Sequence, residues 1–525
     1  MIVEKLYRER TTESFDHSLR LADTTVLVGP NNAGKTQTLR DIRNIILRDK
    51  NPTIFGSLSF HSGDFRPILR GLHYVKERDR IVVSGQAGRT VSVESEKWRG
   101  WLNDNLSTSS REVFDTLSPA LVTFLDASSR LQLATESSVG ADQTRRNPKN
   151  MTLSMLYRSD ESYSKFREIF KDVFGVSPVI DYSDQGSIRI QVGQCDESPP
   201  SHPRELGEFI EENGFSPIDE AGDGYLSFAG VVGSLLVSKS RLLLLDEPAA
   251  FLHPSQARRL GEWIAEVGCE TTEQIVMSTH NANFLNGVLE SPTNVSIHRL
   301  NRTGDHTQFN QIGLDAAERI ATDPLLRSQR VLESAFHTGI VVCEGGSDRA
   351  VYEAVARIKH DESDIQFVDG LGLSSLDKIA RAATDAQIPV AAIVDLDILN
   401  PHRDLTDLIR GMLGGAEYNE VQPIITDYAQ IQDEISTLKD GVENMPEKHK
   451  EIIKNVIEDA SEHGVYLVPC GELEDWMDLD VSPDKKGRWL NEALNTISEG
   501  NCPEDLSEFV LDVLNDVDAQ YKTRD

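Results

Sequence analysis

The stretch Gly29-Pro30-Asn31-Asn32-Ala33-Gly34-Lys35-Thr36 decides the fold of the first half of the chain. It fits the pattern GxxxxGK[ST]. Glycines at this spacing let backbone N–H groups close around phosphates at a helix N-terminus, the lysine reaches the β- and γ-phosphates, and the Thr36 hydroxyl serves Mg²⁺. The flanks agree: Thr24 to Val28 is a β-rich run, and Thr36 to Leu47 spaces its apolar residues as a helix does. Gly29, Asn31, Asn32, Gly34, Lys35 and Thr36 are therefore read as ATP-binding residues.

Leu242 to Leu245 is a continuous apolar run, as in a buried parallel strand, and it leads into Asp246-Glu247-Pro248. An apolar strand ending in two acids suits nucleotide hydrolysis. Asp246 joins the Mg²⁺ shell and Glu247 polarises the attacking water. His280 lies just past the next strand, Gln274 to Ser278, where a γ-phosphate sensor is expected.

A second strand–helix series begins after His337, which points to a separate α/β domain. Gly339 to Cys343, Asp364 to Val368, Val390 to Val394 and Val465 to Val468 read as its strands. Three of them end in acids: Glu344 with Asp348 four residues on, Asp395-Leu396-Asp397, and Glu472-Leu473-Glu474-Asp475. In extended chain, residues two apart point to one side, so Asp395 with Asp397, and Glu472 with Glu474, are expected to face one ion together. Acids at the C-terminal ends of parallel strands share one crevice. An all-oxygen set of Glu344, Asp348, Asp395, Asp397, Glu472 and Glu474 suits Mg²⁺ or Mn²⁺ and not zinc. Two such ions roughly 4 Å apart activate water and stabilise the leaving oxygen in phosphodiester cleavage.

The 525 residues suffice for two or three domains. No apolar run approaches the roughly 18 residues of a membrane span, and Met1 to Arg10 alternates like a strand rather than a signal peptide. The five cysteines form no CxxC pair, which with the missing signal predicts a reducing cytoplasm. The net charge of −32 argues against a broadly basic nucleic-acid-binding surface. Short basic stretches at 66–80, 145–149 and 485–488 read as solvated faces. Ile81 to Ser84 and Thr90 to Val93 flank Gly85-Gln86-Ala87-Gly88 as a hairpin. Residues from about 100 to 220 show no regular pattern and are read as a helical insertion.

The nucleotide motifs resemble those of ABC-type ATPases, in the branch shared with recombination and repair proteins. Phe251-Leu252-His253-Pro254, after Asp246-Glu247-Pro248, matches that branch's DEPxxxLHP run. The closest match to the family's signature motif is Ala221-Gly222-Asp223-Gly224, with alanine where the family has serine. The second set, a Glu-Gly-x-Ser-Asp-like turn followed by Asp-x-Asp, resembles Toprim. An ATPase followed by Toprim, with the added Glu-Leu-Glu-Asp motif, is similar to the OLD (overcoming lysogenization defect) nucleases, a group that includes the Gabija nuclease of antiphage defence. The resemblance implies an ABC-type ATPase domain over 1–337 with its insertion, a Toprim nuclease domain over 338–480, and a helical extension over 481–525. It implies Glu344, Asp395, Asp397, Glu472, Glu474 and Glu247 as catalytic groups, with a downstream lysine, Lys486 or its neighbour Lys485, stabilising the pentavalent phosphate. ATP and Mg²⁺ or Mn²⁺ are the expected cofactors. DNA, a second copy of the chain and a helicase or other defence-system protein are the expected partners. A Toprim RNA nuclease, and a repair ATPase with an inactive Toprim fold, remain open at this stage; the second would need long coiled coils that the sequence lacks.

Overall fold

Thr24–Val28 forms β1, and every one of its residues is buried, as a strand covered on both faces requires. The computed structural model describes the chain except residues 1–2, 8–17, 61–64, 73, 85–89, 104–109, 135–136, 139–150, 185–186, 196, 238–240, 271–273, 292–294, 305, 329, 360–363, 401–402, 414–430, 432–437, 440, 483–484 and 524–525. The hairpin turn 85–88 and the basic stretch 145–149 lie outside the described residues. The chain forms two compact units: Met1–Val28 with Gly34–His298, and Gly29–Ala33 with Arg299–Asp525.

In the first unit β1 is followed by α1 (Lys35–Leu47), β2 (Val122–Leu125), α2 (Ala127–Ala134), β3 (Ser177–Asp181), β4 (Ser187–Gly193), α3 (Asp223–Val237), β5 (Leu242–Asp246), α4 (Pro254–Glu270) and β6 (Gln274–Ser278). Four of these strands run parallel in the order β2-β5-β6-β1, with Leu242 opposite Val122 and Gln274, and Ile275 opposite Thr24. β5 lies in the middle, and its leucines 242 to 245 are wholly buried. Helix α3 is apolar all round and buried from Leu226 to Val237, so it is a core helix rather than a surface one.

Residues 100–220 are not wholly a helical insertion. Val122–Leu125 is a full member of the core sheet, paired with β5. Four residues are too few to show a period, and a run such as Val-Thr-Phe-Leu is equally at home in a helix. The same region holds the antiparallel pair β3–β4 and the helix Asp160–Phe174. That helix is fastened to α3 by aromatic contacts, with Phe174 stacked on Tyr225 at 4.3 Å between ring centroids.

The second unit carries β7 (Gly339–Cys343), α5 (Gly346–Lys359), β8 (Ile365–Asp369), α6 (Leu376–Asp385), β9 (Val390–Val394), β10 (Val465–Leu467), α7 (Lys486–Ser498) and α8 (Glu504–Thr523). The sheet order is β8-β7-β9-β10, all parallel. The chain leaves β7 for β8 on one side and then crosses to β9 on the other. The gap between the C-terminal ends of β7 and β9 is thus a topological switch point, where open sheets bind ligands. One layer packs Val351 and Val355 of α5, the wholly buried Trp489 and Ala493 of α7, and Val510, Val513 and Val517 of α8 into a single core with Val341 and Ile393. Ile379, Ala380 and Ala383 of α6 are also wholly buried. No helix among the described residues is long and apolar enough to cross a membrane.

Candidate functional site

Two clusters of functional side chains emerge, one at the end of β5 and β6, the other at the ends of β7, β9 and β10.

The loop between β1 and α1 turns through left-handed backbone at Gly29 (φ 138), Asn32 (φ 64) and Gly34 (φ 98). Glycine adopts this region without strain and asparagine tolerates it, which explains the residue types that a phosphate-wrapping loop uses. Lys35 opens α1 and is nearly buried. Thr36 donates its hydroxyl to Asp246 Oδ1 at 2.7 Å, and Ser278 donates to the same oxygen at 2.6 Å. The parallel pairing of β5 with β6 sets Asp246 directly opposite Ser278. A threonine hydroxyl and an acid in contact are the protein's share of a Mg²⁺ shell for a nucleotide. Glu247, with φ 52, is a non-glycine residue in left-handed backbone. Its side chain is gripped by His280: the ring Nδ1 lies 2.8 Å from Oε1, and the His280 backbone N–H donates to Oε2 at 3.1 Å. Glu247 in turn raises the pKa of His280 above its ordinary value. Asp246, Glu247 and His280 thus gather as the spacing suggests. Ala221-Gly222-Asp223-Gly224 sits at the start of α3, with Gly222 at φ 118.

In the second unit Glu344 follows β7, Asp395 follows β9, and Glu472 lies five residues past the end of β10. Because these three strands are neighbours, motifs about fifty and eighty residues apart in sequence arrive at one edge. Asp348 sits in the first turn of α5, and its Oδ2 accepts the Gly345 N–H at 3.0 Å. Burial raises the Asp395 carboxyl to a pKa of about 8, with Asp348, Glu344, Asp397 and Glu472 adding to it. Burial, then Asp397 and Asp348, raises Glu344 to about 7. Asp348 is also raised, by burial and by Glu474, while Lys486 at the start of α7 opposes that shift. The six acids therefore share one field, and Lys486 reaches its edge. Lys485 is the cap residue before α7.

The local geometry of the acids differs from the extended pairing expected. Asp395 and Glu472 are each the N-cap of a 3₁₀ turn, Leu396–Leu399 and Leu473–Trp476, and Asp397 and Glu474 lie inside those turns. At three residues per turn, positions two apart do not share a side. Glu472 and Asp475 form a capping box, each side chain accepting from the other's backbone. That E-x-x-D spacing was present in the sequence and points to a helix start rather than to continued strand.

One cation in the cluster escaped the sequence reading. Lys439 Nζ contacts Glu472 Oε1 and lies 3.8 Å from Asp397 Oδ2. Its backbone is pressed onto the turn after β10. A Cβ on Gly471 (φ 113) would stand 2.1 Å from the Lys439 carbonyl oxygen, and one on Gly441 (φ 75) would stand 2.2 Å from that of Cys470. Only glycine permits this double approach. Lys439 belongs to a stretch without periodicity, so no pattern marked it.

The donors fit a hard divalent cation. All are oxygens, and Glu344 Oε2 is buried without a hydrogen-bond partner. Among the described residues, no three Asp, Glu, His or Cys side chains already stand in ligand geometry. Like charges separate, and Glu472 and Asp397 turn instead toward Lys439.

Comparison with known proteins agrees with this division. Residues 159–286 match the family model described as "AAA domain, putative AbiEii toxin, Type IV TA system". Residues 336–397 match the one described as "Overcoming lysogenization defect protein-like, TOPRIM domain". Asp246, Glu247 and His280 fall in the first match, and Glu344, Asp348, Asp395 and Asp397 in the second. No curated protein matches the chain. Among solved structures, an Smc head bound to the C-winged helix domain of ScpA is 13% identical, with 61% of this chain and 99% of that one covered at a TM-score of 0.38. The SMC head domain from Thermotoga maritima is 13% identical over 60% and 100%, at 0.32. The Smc head domain with an extended coiled coil, bound to the C-terminal domain of ScpA from Pyrococcus furiosus, is 12% identical over 61% and 98%, at 0.34. These likenesses are slight. The chain joins a P-loop ATPase domain to an OLD-like Toprim domain, matching an OLD-family ATPase plus Toprim.

Proposed function

We propose that the protein is an ATP-binding, divalent-metal-dependent DNA endonuclease of antiphage or anti-plasmid defence, with its ATPase domain over 1–337, its Toprim nuclease domain over 338–480 and a helical extension over 481–525. The observation that carries this reading is the meeting of Glu344, Asp348, Asp395, Asp397, Glu472 and Glu474 at the switch point of a parallel sheet. Glu344, Asp348, Asp395, Asp397, Glu472 and Glu474 are the metal ligands or their helpers. Bound Mg²⁺ or Mn²⁺ supplies an activated water and charge neutralisation at the scissile phosphate. Lys486 faces the developing negative charge of that phosphate from the start of α7.

In the nucleotide site Lys35 and the Gly29–Gly34 loop hold the phosphates. Thr36 and Asp246 serve the Mg²⁺ of ATP. Glu247 orients water, and His280 holds Glu247 and senses the γ-phosphate. A cytoplasmic homodimer, joined through the ATPase domain and acting on DNA with a helicase or other defence protein, fits the reading.

The test is to incubate the purified chain with supercoiled plasmid and separately with total RNA, each with Mg²⁺, Mn²⁺ or EDTA. The reading expects nicked or linear plasmid with metal and intact plasmid in EDTA. Cleavage of RNA alone would transfer the substrate to RNA. Cleavage of neither would overturn the nuclease reading.

A further inference from the structure

Arg130 in α2 is wholly buried, and none of the motifs accounts for it. A guanidinium keeps its charge at all ordinary pH values, so burying one demands compensation. Its surroundings show where that compensation is found. The reciprocal turn that starts α2 aims the side chain: Asp126 N–H donates to Ser129 Oγ at 2.9 Å, and Ser129 N–H donates to Asp126 Oδ1 at 2.8 Å. From there Arg130 donates through a terminal nitrogen to the backbone carbonyl of Asp246. Its Nε donates to Ser227 Oγ, one turn into α3, at 3.2 Å.

The Asp246 carbonyl belongs to the peptide that links Asp246 to Glu247. The N–H of the same peptide, that of Glu247, donates to the Ser278 carbonyl at 3.0 Å. Both polar ends of this one peptide are therefore clamped, Arg130 on one side and β6 on the other. The clamp matters because Glu247 is in left-handed backbone, a conformation that is costly for a non-glycine residue and persists only where its surroundings impose it. Gly230 closes the other contact. A Cβ there would stand 2.4 Å from the Arg130 carbonyl oxygen, so α3 can lie against α2 only with glycine at this position. One terminal nitrogen of Arg130 is buried with no partner. That is donor capacity which neither helix nor strand uses.

Resting on the ATPase part of the proposed function, we infer that Arg130 is a positioning residue for ATP hydrolysis. It fixes the Asp246–Glu247 peptide, and so the direction of the Glu247 carboxylate, and it ties that peptide to α3, whose first turn carries Asp223-Gly224 of the signature-like motif. Motion of α3 is thereby transmitted to the water-orienting carboxylate. Arg130 touches neither nucleotide nor water in this role.

The test uses the full chain and three variants, R130K, S227A and R130K/S227A, with ATP affinity, kcat, KM and melting temperature measured for each. Lysine keeps the charge but cannot bond two acceptors in the fixed fork of a guanidinium. R130K is expected to bind ATP within about threefold of wild type while kcat falls about tenfold or more. S227A, which removes only the α3 end, is expected to lower kcat about threefold at unchanged affinity. Because both changes cut the same tie, the double variant should be no slower than R130K. A wild-type kcat in R130K overturns the inference. So does a fall in ATP affinity that matches the fall in kcat, or a double variant whose losses multiply. If R130K fails to fold, S227A decides alone: lowered kcat at unchanged affinity supports the tie, and unchanged kcat overturns it. A wild-type chain that binds ATP and never hydrolyses it contradicts the ATPase reading itself, and this role with it.

Discussion

Glu344 holds one carboxylate oxygen buried and unpartnered, and Asp395 carries a pKa raised to about 8. A divalent cation beside these oxygens would satisfy the one and favour the charged form of the other. Mg²⁺ or Mn²⁺ should therefore raise the melting temperature of the metal-free chain, and Asp395→Asn should remove most of that rise. Equal stabilisation of wild type and variant in a thermal melt would place the metal elsewhere. In the nucleotide site Lys35 and Glu247 have separable roles. Lys35→Ala should weaken ATP binding by about 100-fold or more, read by fluorescence titration. Glu247→Gln should leave binding within a few fold and lower kcat by about 100-fold. Loss of binding in both, or in neither, would contradict the division of labour between phosphate holding and water orientation.

At the scale of elements, legibility followed length and period. The buried strands β5, β6, β7 and β9 announced themselves as apolar runs ending in acids or polar turns, and their ends carry most of the site. β2 did not, because a four-residue strand between helices, with Thr123 inside it, has no period to show, and Arg130 was lost with it. The acids in the 3₁₀ turns after β9 and β10 read as extended chain in the sequence because alternating acids imitate a period of two. The capping box at Glu472 outweighs that alternation physically, since it satisfies backbone donors that an extended chain would leave open. Lys439 was invisible because a long-range backbone approach, and not any local pattern, delivers it. Gly471→Ala should consequently cost about 2–4 kcal/mol, read as a lowered denaturation midpoint, because the new Cβ meets the Lys439 carbonyl and φ 113 disfavours any side chain. An unchanged midpoint would show that this approach is not needed.

The strand Val295–Thr303 carries a separate expectation. Burial lowers the pKa of His298 to about 4. A histidine depressed in the folded state favours its neutral form there, so its contribution is fully present above about pH 6.5 and is lost as pH falls toward 4. His298→Gln should flatten that part of the stability–pH curve by up to about 3 kcal/mol, as urea melts would record. A curve of unchanged slope would mean that His298 is not the responsible group.

Across the whole molecule, a net charge of −32 opposes a polyanionic substrate. The acidic crevice adds to that repulsion until cations enter it. DNA affinity, measured by fluorescence anisotropy, should therefore rise at least about tenfold when Ca²⁺ replaces EDTA at constant ionic strength, a larger change than screening alone produces. Equal affinity in both would mean that a surface remote from the carboxylates binds DNA. The proposed endonuclease requires that Glu344 and Asp395, brought together by neighbouring strands β7 and β9, form a metal-dependent phosphodiesterase centre. The most direct measurement is the initial rate of plasmid nicking against Mn²⁺ concentration for wild type, Glu344→Gln and Asp395→Asn. Wild type should nick in a metal-dependent manner, and both variants should be at least about 100-fold slower at every Mn²⁺ concentration. Nicking by either variant at the wild-type rate would contradict it.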